Sequence, residues 1–141
     1  MVWFRLSFIL LLFLPFSITA NELIKVAGSP EAVIQLLNEA KEQFEKNESE
    51  NAAAILERAL RIDPHNPILW HNLAGVRLQQ EDWKRAASLA QKSNSYATEK
   101  NVKLSWLRVR NWVIVSLACE GMGDADCANE AKKRAHILAN Q

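Results

Sequence analysis

The sequence predicts an all-α protein whose short helices pair and stack around one continuous core. Glycine and proline are few, at four each among 141 residues. No segment shows the alternation of apolar and polar residues that marks a half-buried strand. A pattern of small and aromatic residues also occurs twice, at a spacing of 34 residues. Because one helical pair cannot bury its own apolar face, such pairs must stack on copies of themselves.

The pattern is clearest in residues 68–97. Trp70 and Ala74 mark a first helix and Trp83 marks a second, with the turn between them at Glu81-Asp82. Small residues let two helix backbones approach closely, and aromatic residues fill the space beside them. The segment therefore predicts two short helices folded against each other.

A second copy of the pattern lies upstream in register. A shift of 34 positions relates Ala86 to Ala52, Ala87 to Ala53, Ala74 to Ala40, Trp70 to Leu36 and Leu78 to Phe44. The upstream copy ends with Ala59 and then Asp63-Pro64. This order of large, small, aromatic and small residues resembles the tetratricopeptide repeat, which is about 34 residues long.

A third unit is less regular. Trp112 takes the place of Trp70, and Gly123-Asp124 supplies the turn. The offset between the two tryptophans is 42 residues, so eight residues have been added. We expect them to lengthen the first helix of this unit at its start, with Thr98 as its cap.

The resemblance implies tandem helix-turn-helix repeats stacked as a short right-handed solenoid of about three repeats and six helices. It covers residues 30–140, with repeats at about 33–66, 67–100 and 101–140. We expect helix caps at Asn66, Asp82 and Asp124. Trp70, Trp83 and Trp112 match positions that belong to the core in this family.

The N-terminus has the layout of a secretory signal peptide. Arg5 precedes an apolar run from Phe8 to Phe16, and small and polar residues follow up to Ala20. We expect cleavage after Ala20, which would leave residues 21–29 as a short lead-in. The alternative is an uncleaved anchor, although the run is short for a membrane span, which needs about 20 apolar residues. The protein would then be periplasmic, or anchored in the inner membrane and facing the periplasm.

Charge and motifs exclude several classes of function. The formal net charge is +1, whereas nucleic-acid partners normally require a basic surplus that neutralises phosphates. The chain has no Gly-rich phosphate loop, no Gly-x-Ser-x-Gly motif and no His-Glu-x-x-His motif, and its three histidines are scattered. We therefore expect a non-enzymatic protein without cofactor or metal.

The two cysteines, Cys119 and Cys127, leave two interpretations open. Export implies an oxidising compartment, and the repeat pattern places both cysteines beside the turn between the last two helices, where they could form a disulfide. Their spacing does not fit a Cys-x-x-Cys redox motif or a zinc ribbon. The alternative is two small buried residues without a bond between them.

The groove between stacked repeats is the expected binding site. In proteins of this family the first helix of each repeat lines the concave face, and the partners are often extended peptides or helices. The resemblance places in this groove Leu37, Lys41, Phe44, His71, Leu78, Gln79, Arg110, Val113 and Leu117. Trp106 shares the face of Arg110, and such a pair is typical of interface anchors. The alternative is that Trp106 packs on the preceding helix, near Leu89 or Tyr96.

A narrower resemblance rests on four runs of sequence. They are residues 56–64 (LERALRIDP), 69–70 (LW), 90–94 (AQKSN) and 110–112 (RNW). They look like small exported proteins of Gram-negative bacteria, some of which are outer-membrane lipoproteins that activate a bifunctional penicillin-binding protein. Those lipoproteins carry a lipid-anchored cysteine, and no cysteine follows the apolar run here.

These observations predict an envelope scaffold that binds another protein through the concave groove, as an adaptor or activator of an enzyme such as a penicillin-binding protein. Two alternatives stay open. The chain could self-associate as a structural module, for example as a homodimer, or it could be an assembly factor anchored in the inner membrane. On either interpretation, only the N-terminal segment would contact the membrane.

Overall fold

The structure is a computed structural model that describes residues 30–97 and 104–141. These residues form six α-helices and no strand. The helices are α1 (Pro30–Glu45), α2 (Ser49–Ile62), α3 (Pro67–Gln79), α4 (Trp83–Tyr96), α5 (Ser105–Gly121) and α6 (Ala125–Ala139). The predicted signal peptide, cleavage after Ala20, the lead-in and the cap at Thr98 lie outside the described residues, and they stay predictions.

The helices form a stack of pairs. Each helix packs against the next along the chain, and α3 also contacts α5. One core cluster joins α1, α2 and α3, and the other joins α4, α5 and α6 with Ala74 of α3. The two clusters contain alanines with no exposed surface, which are Ala52, Ala59, Ala74, Ala86, Ala90 and Ala118. The all-α prediction of stacked helical pairs is therefore confirmed.

Polar side chains cap three of the helices where the sequence predicts. Asn66 accepts a hydrogen bond from the backbone N–H of Ile68 at 3.0 Å, at the start of α3. Asp82 and Asp124 accept from backbone N–H groups in the first turns of α4 and α6. Each cap satisfies a backbone donor that would otherwise have no partner inside the helix.

The first helix of the third unit begins earlier than that of the second unit, as predicted from the added residues. When Trp112 is aligned on Trp70, α5 begins about one turn earlier than α3. Residues 98–103, which precede this start, lie outside the described part of the chain. Leu104 precedes the helix and makes no side-chain capping bond. Within the described residues, α5 therefore extends about one turn further at its start than α3 does.

The three tryptophans at repeat positions are partly buried, and each packs on one of the two clusters. Trp70 Nε1 donates to the backbone carbonyl of Pro64 at 2.8 Å. The indole ring of Trp83 lies directly on the backbone of Gly121. A Cβ atom added at position 121 would lie only 2.6 Å from Trp83 Cε2. This contact brings the start of α4 against the end of α5.

Of the two interpretations of the cysteines, the structure shows the one with a bond between them. Cys119 and Cys127 form a disulfide, and their Cα atoms are 5.7 Å apart. Cys119 is fully buried near the end of α5, and Cys127 is half-buried in the first turns of α6. The bridge therefore spans the turn between these two helices.

Candidate protein-binding groove

A cleft lies between α1 and α3, the first helices of the first two pairs. Its volume is about 390 Å³. Apolar side chains line most of it, and they include Leu37, Phe44, Leu56, Ile68 and Val76. Lys41, Asn38, His71 and Asn72 add polar groups. The cleft therefore combines an apolar surface with a few hydrogen-bonding groups, as expected of a site that binds a side chain of a partner.

A separate apolar stripe lies on α5, the first helix of the third pair. Trp106 is 47% exposed, and Val113 and Leu117 are each 45% exposed. The guanidinium carbon of Arg110 lies 5.7 Å from the centre of the Trp106 ring, so the two side chains stack. Trp106 therefore belongs to the exposed face of α5, as the groove interpretation predicts. We call the α1–α3 cleft and this stripe together the groove face.

Most of the large apolar side chains that are exposed lie on first helices. Among the described residues, five of these seven side chains are Ile34 and Phe44 on α1 and the three residues of the α5 stripe, and the other two are Met122 in the turn after α5 and Ile137 on α6. The second helices of the first two pairs, α2 and α4, expose none. Since an apolar patch on a soluble domain usually marks an interaction site, the distribution favours the first helices as the binding surface.

Two predicted groove residues have other contacts. Leu78 is half-buried and packs against the core cluster of α4, α5 and α6. Gln79 is exposed, and its amide oxygen accepts a hydrogen bond from Ser49 Oγ at 2.6 Å. Neither side chain lines the cleft. Helical spacing predicts both side chains in the groove. They contact neighbouring helices instead, so they are not part of the cleft lining.

Asn111 is the centre of a buried polar network beneath the groove face. Its side-chain amide donates to Ser93 Oγ at 2.7 Å and to Asn94 Oδ1 at 2.9 Å. Its oxygen lies 2.7 Å from His71 Nδ1. Ser93 Oγ in turn donates to the backbone carbonyl of Pro67 at 2.7 Å. The network ties α3, α4 and α5 together around a fully buried amide.

The surroundings of His71 favour its neutral form. Burial lowers the pKa of the imidazole below its ordinary value of 6.5, and the positive charge of Arg110 lowers it further. The hydrogen bond with Asn111 acts in the opposite direction but does not offset burial. At neutral pH, His71 is therefore an uncharged ring between the cleft and the network.

Sequence reasoning did not assign a role to Asn111 or Ser93. Both occupy positions where helical spacing predicts a buried side chain, since Leu107, Asn111 and Ile114 lie on one face of α5. A polar residue within a buried stripe is the signal that could have identified them. Their partners lie on other helices, and no spacing rule connects those positions.

Comparison with known proteins identifies the family. The sequence profile of the tetratricopeptide repeat matches residues 43–99. The globular C-terminal domain of LpoP from P. aeruginosa is 35% identical, with a TM-score of 0.68. The match covers 74% of this chain and 94% of that domain. The chain belongs to the tetratricopeptide repeat family. Within it, the chain is similar to the LpoP domain, so both levels of the predicted resemblance are confirmed.

No curated protein sequence matches the chain significantly. No group of three or more histidine, cysteine or acidic side chains that could hold a metal ion occurs in residues 30–97 and 104–141. In the same part of the chain, none of the helices is both long and apolar enough to cross a membrane.

Proposed function

We propose that this protein is a non-enzymatic interaction module of the bacterial cell envelope, which binds a segment of another protein along the groove face. The observation that carries the proposal is the position of the exposed apolar side chains. Five of the seven large apolar side chains that are exposed among the described residues lie on α1 and α5, whereas the exposed residues of α2 and α4 are small or polar. The tetratricopeptide repeat family supports the proposal because its members bind protein partners.

Arg110 and Trp106 are the expected anchors of the interface. Both are exposed, and the guanidinium group of Arg110 lies over the ring of Trp106. Aromatic and arginine side chains contribute most of the binding energy at many interfaces. Stacking also limits the rotamers of both side chains before the partner arrives, which lowers the entropic cost of binding.

The proposed location and partner class rest on two supports. The first is the N-terminal segment, which has the layout of an export signal. The second is the similarity to the LpoP domain, together with the resemblance to exported activators of penicillin-binding proteins. We therefore propose a periplasmic or inner-membrane-anchored protein whose partner is an envelope enzyme such as a bifunctional penicillin-binding protein.

Affinity capture from detergent-solubilised membranes of the host cell tests this proposal. The baits are the full chain, its Trp106→Ala/Arg110→Ala double variant and an Arg58→Ala variant on the exposed side of α2. A fluorescent penicillin labels the penicillin-binding proteins among the captured material. We expect the wild-type and Arg58→Ala baits to capture the same labelled protein. The double variant should capture at least roughly tenfold less, since two anchor residues are lost.

Circular dichroism of each bait separates lost binding from lost folding, since all three side chains are exposed and their removal should leave helix content unchanged. Equal capture by all three baits would place the binding surface outside the groove face. Capture of an unlabelled envelope protein that depends on Trp106 and Arg110 would keep the groove and replace the partner class. Self-association of all baits, with no other protein captured, would favour the structural alternative.

A further inference from the structure

The buried network fixes the tautomer of His71. Both hydrogens of the Asn111 amide are donated, one to Ser93 and one to Asn94. Ser93 cannot exchange roles, because its own hydroxyl hydrogen is donated to the carbonyl of Pro67. Only the amide oxygen of Asn111 therefore faces His71, and an amide oxygen can only accept. With the Asn111 amide in this orientation, the Nδ1 atom of neutral His71 carries the hydrogen of this 2.7 Å bond.

The other ring nitrogen of His71 is available in the cleft. Within the described residues, Nε2 has no hydrogen-bond partner, and it is not among the buried polar atoms that lack one. The ring is partly exposed and lines the cleft beside Lys41 and Gly75. Because the two nitrogens lie on opposite sides of the imidazole, Nε2 points away from Asn111 and carries a lone pair.

We propose that His71 Nε2 accepts a hydrogen bond from a neutral N–H or O–H group of the partner polypeptide, next to an apolar side chain that enters the cleft. This inference rests on the proposed function and deepens it, because it names the chemistry that the cleft selects. The apolar side chain would lie against Leu37, Phe44 and Ile68. Space for it exists above Gly75, where an added Cβ atom would meet nothing within 4 Å.

The charges around His71 favour a neutral donor. Lys41 on α1 lines the same cleft, and Arg110 on α5 is close enough to act on the imidazole. Both cations disfavour a lysine or arginine of the partner at this position. From α2 only Leu56 reaches the cleft, and α4 meets the network through Ser93 and Asn94, which do not titrate.

A carboxylate cannot bond to Nε2 of neutral His71, although Lys41 and Arg110 would attract it elsewhere in the cleft. It has only acceptor atoms, so it would face the lone pair of Nε2 unless the ring took up a second proton. Burial and Arg110 both oppose that proton, as the lowered pKa of His71 indicates. Neutral His71 therefore favours a donor over an acidic group.

A double-mutant cycle between His71 and the peptide tests the inference. The probes are peptides selected at pH 7.5 from a phage-displayed library of random dodecapeptides, on protein purified from cells that express the full chain. Peptides that no longer bind a Phe44→Glu variant are kept, since Phe44 lines the cleft. Each neutral donor of such a peptide is then removed in turn, by N-methylation of a backbone amide or by replacement of serine or threonine with alanine.

We expect removal of one donor to weaken binding to the wild-type protein by roughly 3- to 10-fold, the effect of one neutral hydrogen bond. The same removal should have no effect with His71→Phe, which keeps a flat ring but lacks the acceptor. Nitrogen-15 spectra of the imidazole should also show the neutral ring with its hydrogen on Nδ1 at pH 7.

If Phe44-dependent peptides show no coupling between any neutral donor and His71, the inference is overturned and the groove function stands. Coupling of His71 to a peptide carboxylate, or a hydrogen on Nε2, would overturn it as well. If the library yields no peptide that depends on Phe44, the cleft does not bind polypeptide, and both the proposed function and the inference fall.

Discussion

Asn111 is the residue at which the buried polar contacts of α3, α4 and α5 converge. An amide with no exposed surface costs free energy unless its hydrogen bonds are made, and here the oxygen and both hydrogens have partners. The position could be identified from the sequence as a polar residue in a buried stripe. Its partners could not, because Ser93 and His71 meet it only through the crossing of three helices.

Two glycines give the sharpest test at the scale of single residues. In Gly121→Ala the new methyl group would meet the indole ring of Trp83, so the free energy of unfolding should fall by about 1–3 kcal/mol. In Gly75→Ala, within α3, the methyl group meets nothing within 4 Å. That variant should gain about 0.5–1 kcal/mol, because alanine favours the helix over glycine.

Urea unfolding followed by circular dichroism measures both changes, and the Gly75 variant serves as the matched control. A Gly121→Ala protein as stable as the wild type would show that Trp83 does not pack on the α5 backbone. Restoration of stability by Trp83→Leu in the Gly121→Ala background would identify the ring as the cause of the loss.

At the scale of elements, local signals fixed some helix ends and left others undetermined. Asn66, Asp82 and Asp124 cap their helices as predicted, since a cap depends only on residues two or three positions away. The start of α5 has no capping side chain at Leu104, so it had no such signal. The offset of Trp112 showed how many residues were added. It did not show which of them would belong to α5.

The Cys119–Cys127 disulfide should stabilise the last helical pair. It closes a short loop around the turn between α5 and α6, which should contribute about 2–3 kcal/mol to the free energy of unfolding. We expect a Cys119→Ala/Cys127→Ala double variant to lose that amount in urea unfolding. Reductant should lower the stability of the wild type to the same level and leave the double variant unchanged.

Alkylation under non-reducing conditions, followed by mass spectrometry, provides the control for that experiment. The exported protein should show no free thiol. Two alkylated cysteines, together with a stability that does not respond to reductant, would show that the cysteines are an unbonded buried pair in the cell.

At the scale of the whole molecule, the repeat pattern predicted a binding face on the first helices, and that face stays a proposal. Phe44, Trp106, Val113 and Leu117 are exposed on first helices, as the family resemblance implies. Leu78 and Gln79 share the predicted spacing but contact neighbouring helices instead. Spacing defines the face of an isolated helix, whereas neighbouring helices decide how much of that face stays open.

The central claim is that the groove face, and not the opposite side of the stack, contacts the partner. Site-specific photo-crosslinking in living cells tests it most directly. A benzophenone amino acid replaces Phe44 or Trp106 on the groove face, and Arg58 or Ser88 on the exposed sides of α2 and α4 serve as matched controls. We expect a crosslinked product of the same partner from both groove positions and none from the controls. A product from Arg58 or Ser88 alone would contradict the account and place the interface on the second helices.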